Sequence, residues 1–179
     1  MYYVATLTHK GGDMIDQQLA IALFDYDPET GSLTWRLSTN SFKKGEEAGS
    51  VSGAHGYTDY RNVVVFGDRY KAHRLIWLMR TGSWPSGHID HMDGNGLNNK
   101  WDNLREATPS QNAMNQKVRS DSASGCKGIS YDKRRDMWYA YIDIDGSRVH
   151  LGRHENKDEA VAVRLAAEKR YHGEYARSA

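Results

Sequence analysis

A chain of 179 residues with 39% hydrophobic and 26% charged residues is long enough for one ordinary domain or two small ones, and too apolar for wholesale disorder. Its single cysteine, Cys126, excludes a disulfide framework and a structural zinc site built mainly from thiolates. The formal net charge of +1 gives no overall nucleic-acid signature, yet residues 1–50 carry four Lys/Arg against seven Asp/Glu and residues 51–179 carry twenty against sixteen, which leaves room for a local basic surface.

The segment Asp16 to Phe24 has the apolar spacing of a short helix, and Phe24 to Gly31 reads as turn chemistry, with Pro28 fixing φ and Gly31 supplying a positive one. Residues 32–37, 60–66 and 69–72 alternate with period two, which predicts a small antiparallel sheet. Helical spacing follows from His73 to Thr81 and stops at Gly82 to Pro85. The apolar run within it, Leu75 to Met79, is closed by Arg80, so no stretch approaches the length of a membrane span. Residues 1–10 are too polar for a signal peptide, and a cytoplasmic protein with no membrane partner is expected.

The segment Gly87 to Asn112 is dense in polar groups, and its punctuation places them. Ile89 flanked by polar residues is a short strand, Asp93 to Asn99 has loop composition, and Leu104 to Ala107 can return as a second strand. Thr108, Pro109 and Gln111 then spell a helix start, with the hydroxyl as cap, Pro at the first position and Gln three residues on. This order brings Asp90 and His91, at the end of a strand, towards Asn112 in the first turn of a helix. A carboxylate and an amide oxygen are hard ligands suited to Mg²⁺ or Mn²⁺. The neighbouring imidazole, which titrates near neutrality, can take the proton from a water attacking phosphorus.

On these residues the chain resembles the HNH, or ββα-metal, nucleases, and within them the phage and intron homing endonucleases whose third motif residue is Asn. Asp90-His91 matches the first motif, Asn103 the second and Asn112 the third, at intervals of twelve and nine residues. The resemblance implies a one-metal phosphodiesterase with His91 as general base, Asp90 and Asn112 as ligands of a divalent ion, Mg²⁺ or Mn²⁺, and Asn103 pinning the loop across the hairpin. It further implies products with 5′-phosphate and 3′-hydroxyl ends, and residence in the host cytoplasm for a phage-encoded enzyme. Arg105 could touch phosphate or stand as a solvated charge.

Residues 118–125 are small and polar, the composition of a linker. Beyond them, residues 128–131, 138–143 and 148–151 read as strands, the last two joined by an Asp145-Gly146 hairpin turn. A helix follows, capped by Asn156 with Glu159 in capping-box position, ended by Gly173, and presenting Ala160, Ala162, Val163, Ala166 and Ala167 as a small-residue face. From Lys127 to Glu174 the chain resembles the ethylene-response-factor type of DNA-binding domain, on Lys127-Gly128-Ile129, Trp138 to Ile142, Leu151-Gly152 and the Ala-rich helix. Such domains lay their sheet in the major groove, and the analogy offers Tyr131, Lys133, Arg134, Arg135, Tyr139, Tyr141, Arg148 and His150 as DNA contacts.

The expectation is an α+β chain in two modules: residues 1–117 as nuclease domain with its ββα core at 87–117, a linker at 118–126, and a three-stranded domain with a C-terminal helix at 127–179. Its partner would be double-stranded DNA, engaged by a monomer or a dimer. The competing readings are a non-catalytic, sequence-specific DNA-binding regulator built on the same scaffold, and an RNA-directed protein.

Overall fold

A computed structural model describes residues 15–52, 59–116, 118 and 124–176. The expected linker, residues 118–126, therefore lies for the most part outside the described residues. The fold is α+β, as expected: short helices and small sheets, each of two or three strands. No helix among the described residues is long and apolar enough to cross a membrane. The chain divides into two compact units, Met1–Ser86 with Asn95–Leu104, and Gly87–Gly94 with Arg105–Ala179.

In the first unit, helix α1 (Gln17–Leu23) begins where Asp16 Oδ1 accepts from the Leu19 amide at 2.7 Å. Strand β1 (Phe24–Tyr26) then pairs antiparallel with β2 (Leu33–Trp35). The sequence pattern had assigned β1 to the turn. Its three residues are too few to show alternation, and it owes its place to Phe24, fully buried and 4.7 Å from the Trp35 ring. Strand β3 (Ser50–Ser52) was also missed, because all three of its residues are exposed and none marks a buried face. It edges the sheet β3-β4-β5, with β4 at Tyr60–Val65 and β5 at Asp68–Lys71. Val63 and Val65 are buried on one face of β4 while Val64 between them is exposed, the alternation expected of a half-buried strand.

Helix α2 (Ala72–Thr81) buries Leu75, Ile76 and Leu78, packs against α1, and ends at Gly82 in the left-handed conformation. The loop Asn95–Lys100 is fixed on this unit. Tyr26 Oη donates to the Asn99 carbonyl at 2.8 Å, the Trp101 amide donates to the Pro28 carbonyl at 3.1 Å, and the Trp101 and Trp77 rings lie 5.4 Å apart. Gly31, at φ +78°, sits directly under this loop, where a Cβ would lie 2.6 Å from the Asn99 carbonyl carbon. No side chain fits there.

In the second unit, which takes in all of β7 but its first residue, β6 (His88–His91) and β7 (Leu104–Ala107) make a two-stranded sheet, against which helix α3 (Pro109–Asn115) packs through β6. The start of α3 is as its sequence predicts: Thr108 Oγ1 accepts from the Gln111 amide at 3.2 Å, and Gln111 Oε1 accepts from the Thr108 amide at 2.8 Å. Strands β8 (Ile129–Asp132), β9 (Met137–Ile144) and β10 (Ser147–His154) form a sheet in the order β10-β9-β8, backed by helix α4 (Lys157–Tyr171). Ile129, Ala140 and Ala160 are its core, with Trp138, Leu151 and Val161 packed around them.

The buried face of α4 differs from the one its alanines suggest. Ala162 and Ala166 are exposed, while Ala160, Arg164, Ala167 and Glu168 are buried. Arg164 and Glu168 are four residues apart on one helix face, so the two charges enter the interior as a pair, with Nη1 and Oε1 3.0 Å apart. Asn156 does cap α4, through the Asp158 amide, but Glu159 leans towards His154, 3.9 Å from Nδ1, instead of closing a capping box.

Burial pushes the Tyr26 hydroxyl from its ordinary pKa of 10.0 up to about 12. Because the folded value lies above the unfolded one, the stabilisation is whole below pH 10.0 and fades as pH rises towards 12. Denaturant melts of the wild type are expected to weaken across that interval, and the Tyr26→Phe variant should lose this component of the pH dependence.

Candidate active site

The carboxylate of Asp90 and the ring of His91 occupy the end of β6, each residue only 4% exposed. A buried carboxylate needs partners for its lone pairs. Asp90 has them on both oxygens. Arg105, across on β7, places Nε 2.9 Å and one terminal nitrogen 2.8 Å from Oδ2. Asn115, on α3, donates from Nδ2 to Oδ1 at 2.8 Å and, with the same group, to the His91 carbonyl at 2.6 Å. That carbonyl also accepts from the Gly94 amide at 2.7 Å, closing the turn that leaves β6.

Asn112 is half-buried and lies one helical turn before Asn115, on the same side of α3. Among the described residues its side-chain amide makes no hydrogen bond. Asn103 belongs to the first unit. It is buried in a single turn of 3₁₀ helix, Trp101–Asn103, and its Nδ2 donates to the Asn98 carbonyl at 2.8 Å, within its own loop.

A divalent ion suits this donor set. Asp90 Oδ1 keeps a second lone pair beside the one that Asn115 engages, while Oδ2 takes both contacts from Arg105, and Asn112 offers an uncommitted amide oxygen one turn from the group that holds Asp90. Two hard oxygen ligands match the habit of Mg²⁺ and Mn²⁺, which keep several waters when bound. No cluster of three or more His, Cys, Asp or Glu suited to a metal lies among the described residues.

Two features escaped the reading of the sequence. Arg105 does not stand in solvent: at 14% side-chain exposure it is the ion-pair partner of Asp90. Asn115 was not singled out at all. The signal available was its spacing of three from Asn112, which puts both amides on one helix face, but an Asn in an Asn-rich stretch does not advertise which neighbour is buried.

The exposed face of the β10-β9-β8 sheet carries part of the expected DNA-contact set. Register pairs Arg148 with Asp143 and His150 with Tyr141. The Arg148 guanidinium lies 3.8 Å over the Tyr141 ring, and the Tyr139 and His150 rings are 5.2 Å apart. Arg153 joins the row opposite Tyr139, with its guanidinium 5.6 Å from the ring. Strict alternation from Arg148 and His150 would have put Gly152 there. An irregularity between His150 and Gly152 shifts the register by one, so Arg153 takes the outward position.

Tyr131 lies on the other face, opposite Trp138, with ring centroids 5.0 Å apart and its hydroxyl bonded to Asp136. Lys133, Arg134 and Arg135 are exposed in the turn between β8 and β9, where Arg135 pairs with Asp132 at 2.9 Å. The hydrogen bond from Arg148 holds the Asp143 carboxyl below the usual range, and Arg135 does the same to Asp132.

Asn115 is the point at which α3 is keyed to β6. Asn115→Ala should leave the Asp90 and His91 acceptors short of a donor at a cost of about 1–3 kcal/mol. Asn115→Asp, which sets a second carboxylate against Asp90, should cost more. Urea melts of the two variants against wild type measure both.

A family model described as HNH endonuclease matches residues 70–114. Protein 3.8 of Escherichia phage T7 is 39% identical over 112 residues, spanning 60% of this chain and 92% of that protein. An uncharacterized HNH endonuclease of Acanthamoeba polyphaga mimivirus is 44% identical over 64 residues, 35% of this chain and 34% of that protein. No solved structure matches. The matched family model takes in α2, the β6-β7 sheet and nearly all of α3, and the phage relative is covered almost end to end; the chain is a relative of that phage protein and carries an HNH endonuclease domain over residues 70–114.

Proposed function

We propose that the chain is a metal-dependent DNA endonuclease of the phage homing type, in which residues 1–117 cut and residues 127–179 hold the DNA. The observation that carries the reading is the buried, doubly held Asp90 beside His91 at the foot of a capped helix. A soluble scaffold gains nothing from burying a carboxylate and an imidazole side by side, whereas a hydrolytic site gains a fixed base next to a fixed anionic ligand.

In the proposed mechanism, Asp90 and Asn112 would hold one Mg²⁺ or Mn²⁺, which when bound supplies stabilisation of charge on the phosphate and on the departing 3′ oxygen. His91 takes the proton from the attacking water. The Asn115 bond to the His91 carbonyl fixes the backbone that carries that ring. Asn103 braces the loop that leads to β7. Cleavage on this scheme gives 5′-phosphate and 3′-hydroxyl ends.

Targeting falls to the exposed sheet face. Arg148, His150, Tyr139 and Tyr141 lie there with Arg153, a row of cations over aromatic rings that fits the width of a major groove. Lys133, Arg134 and Arg135 extend the row into the adjoining turn, while Tyr131, on the other face, stands outside it.

The test is plasmid cleavage by purified protein in Mg²⁺ or Mn²⁺. His91→Ala should lower the rate by about 10²–10⁴-fold and leave duplex binding in a gel shift unchanged; undiminished cleavage would remove His91 as base. A regulator that binds without cutting is the second reading, favoured by one observation, the ion pair that already neutralises Asp90. It predicts binding and no cleavage in any divalent ion. For the sheet, Arg148→Ala should weaken duplex binding and reduce the slope of log affinity against log salt by about one, as read from binding isotherms at several salt concentrations.

A further inference from the structure

The guanidinium of Arg105 is held on two sides. Its Nε and one terminal nitrogen engage Asp90 Oδ2 at 2.9 and 2.8 Å, and its Cζ stands 3.8 Å from the centroid of the Tyr175 ring. Tyr175 ends a short 3₁₀ turn, Gly173–Tyr175, just beyond α4, and its hydroxyl is 3.5 Å from the carbonyl of Glu106, the residue after Arg105. The turn also packs against α3. So the turn that follows α4 leans on the hairpin that carries Asp90.

Two physical consequences follow. A guanidinium over an aromatic face is attracted to it and gives up the freedom to swing away, so Arg105 keeps its aim at Oδ2. With Asn115 on Oδ1, the Asp90 carboxylate is then fixed in plane and direction. A divalent ion approaching Oδ2 meets a positive charge already at hydrogen-bond distance from that oxygen, and like charges so close in a water-poor site repel strongly. The same contact that aims the ligand therefore weakens its hold on a cation.

We propose that Arg105, backed by the Tyr175 ring, is a positioning residue that aims the Asp90 carboxylate and limits how tightly the site takes a divalent ion. The proposal rests on the nuclease reading for its kinetic consequence, while its binding consequence stands apart from cleavage. Uptake of Mn²⁺ by the full chain, followed through the loss of the free-ion signal in electron paramagnetic resonance, reads the second directly. Asp90→Asn serves as the reference that places uptake at this carboxylate.

Arg105→Gln should tighten the Mn²⁺ dissociation constant by about ten-fold. Tyr175→Leu should move it the same way by a few-fold, and Arg105→Lys, which restores the charge, should bring it back towards wild type. At saturating Mn²⁺, Arg105→Gln should cleave with a lower kcat, because the carboxylate has lost its aim. Tighter metal with slower turnover is a split that general loosening does not produce, since loosening weakens both. Mn²⁺ affinity in Arg105→Gln equal to or weaker than wild type overturns the proposal, as does an absence of uptake in every variant. Should Arg105→Gln fail to fold, judged by its melt, an unchanged affinity in Tyr175→Leu overturns it instead. The two readings separate cleanly: the Mn²⁺ shifts without any cleavage sink the nuclease and keep the clamp, and cleavage with a Mn²⁺ affinity indifferent to residue 105 does the reverse.

Discussion

A carboxylate with 5% of its side chain exposed is a demand that the surrounding chain has to meet. Left alone, a buried charge costs several kcal/mol or takes up a proton. The Arg105 guanidinium and the Asn115 amide meet the demand from two elements, β7 and α3, and much of the local architecture follows from their reach. For Asn115 to arrive at Asp90, α3 must begin at Pro109 and run nearly two turns without slipping. The reciprocal bonds of Thr108 and Gln111 set that starting point. For Arg105 to arrive, β7 must return beside β6 in register. The nuclease motif is thus built around the needs of one ionised group.

The C-terminal sheet obeys a different logic. Its inner face is small and apolar, Ile129, Ala140 and Ile142 against Ala160, and its outer face is a row of cations and rings. The outer cations are not idle in the free protein. Arg148 holds Asp143 through two hydrogen bonds, at 2.9 and 3.1 Å, and Arg135 holds Asp132. Each of these exposed pairs is worth little on its own. The acidic partners keep these arginines extended across the outer face.

Much of this was legible in the sequence where one residue type can do only one thing. Thr108, Pro109 and Gln111 spell a helix start because their side chains satisfy particular amides, and the helix begins there. The alternation along β9 separates Ala140 and Ile142 from Tyr139 and Tyr141 by period alone. What was not legible depends on partners distant in the chain. Asn115 looks like its neighbour Asn112 until β6 is beside it. Arg105 looks like a surface charge until Tyr175, seventy residues on, closes behind it. The α4 face was misjudged for a related reason: alanine content suggested small residues inward, but a paired Arg164 and Glu168 can be buried where a lone one cannot. The register shift before Gly152 left no mark that alternation could detect, and it moved Arg153 onto the outer face.

The division of the chain into Met1–Ser86 with Asn95–Leu104, and Gly87–Gly94 with Arg105–Ala179, means that neither unit is a continuous stretch. On the ribosome, the first unit cannot close when residue 86 emerges, because the loop that Tyr26 and Pro28 hold has yet to be made. Strand β6 must wait longer still, for Arg105 and Asn115 to be synthesised. Until then the Asp90 carboxylate stays in water. The contacts that bury Asp90 are therefore made late, after most of the first unit already exists, and a nascent fragment that stops short of α3 lacks the Asn115 that completes them.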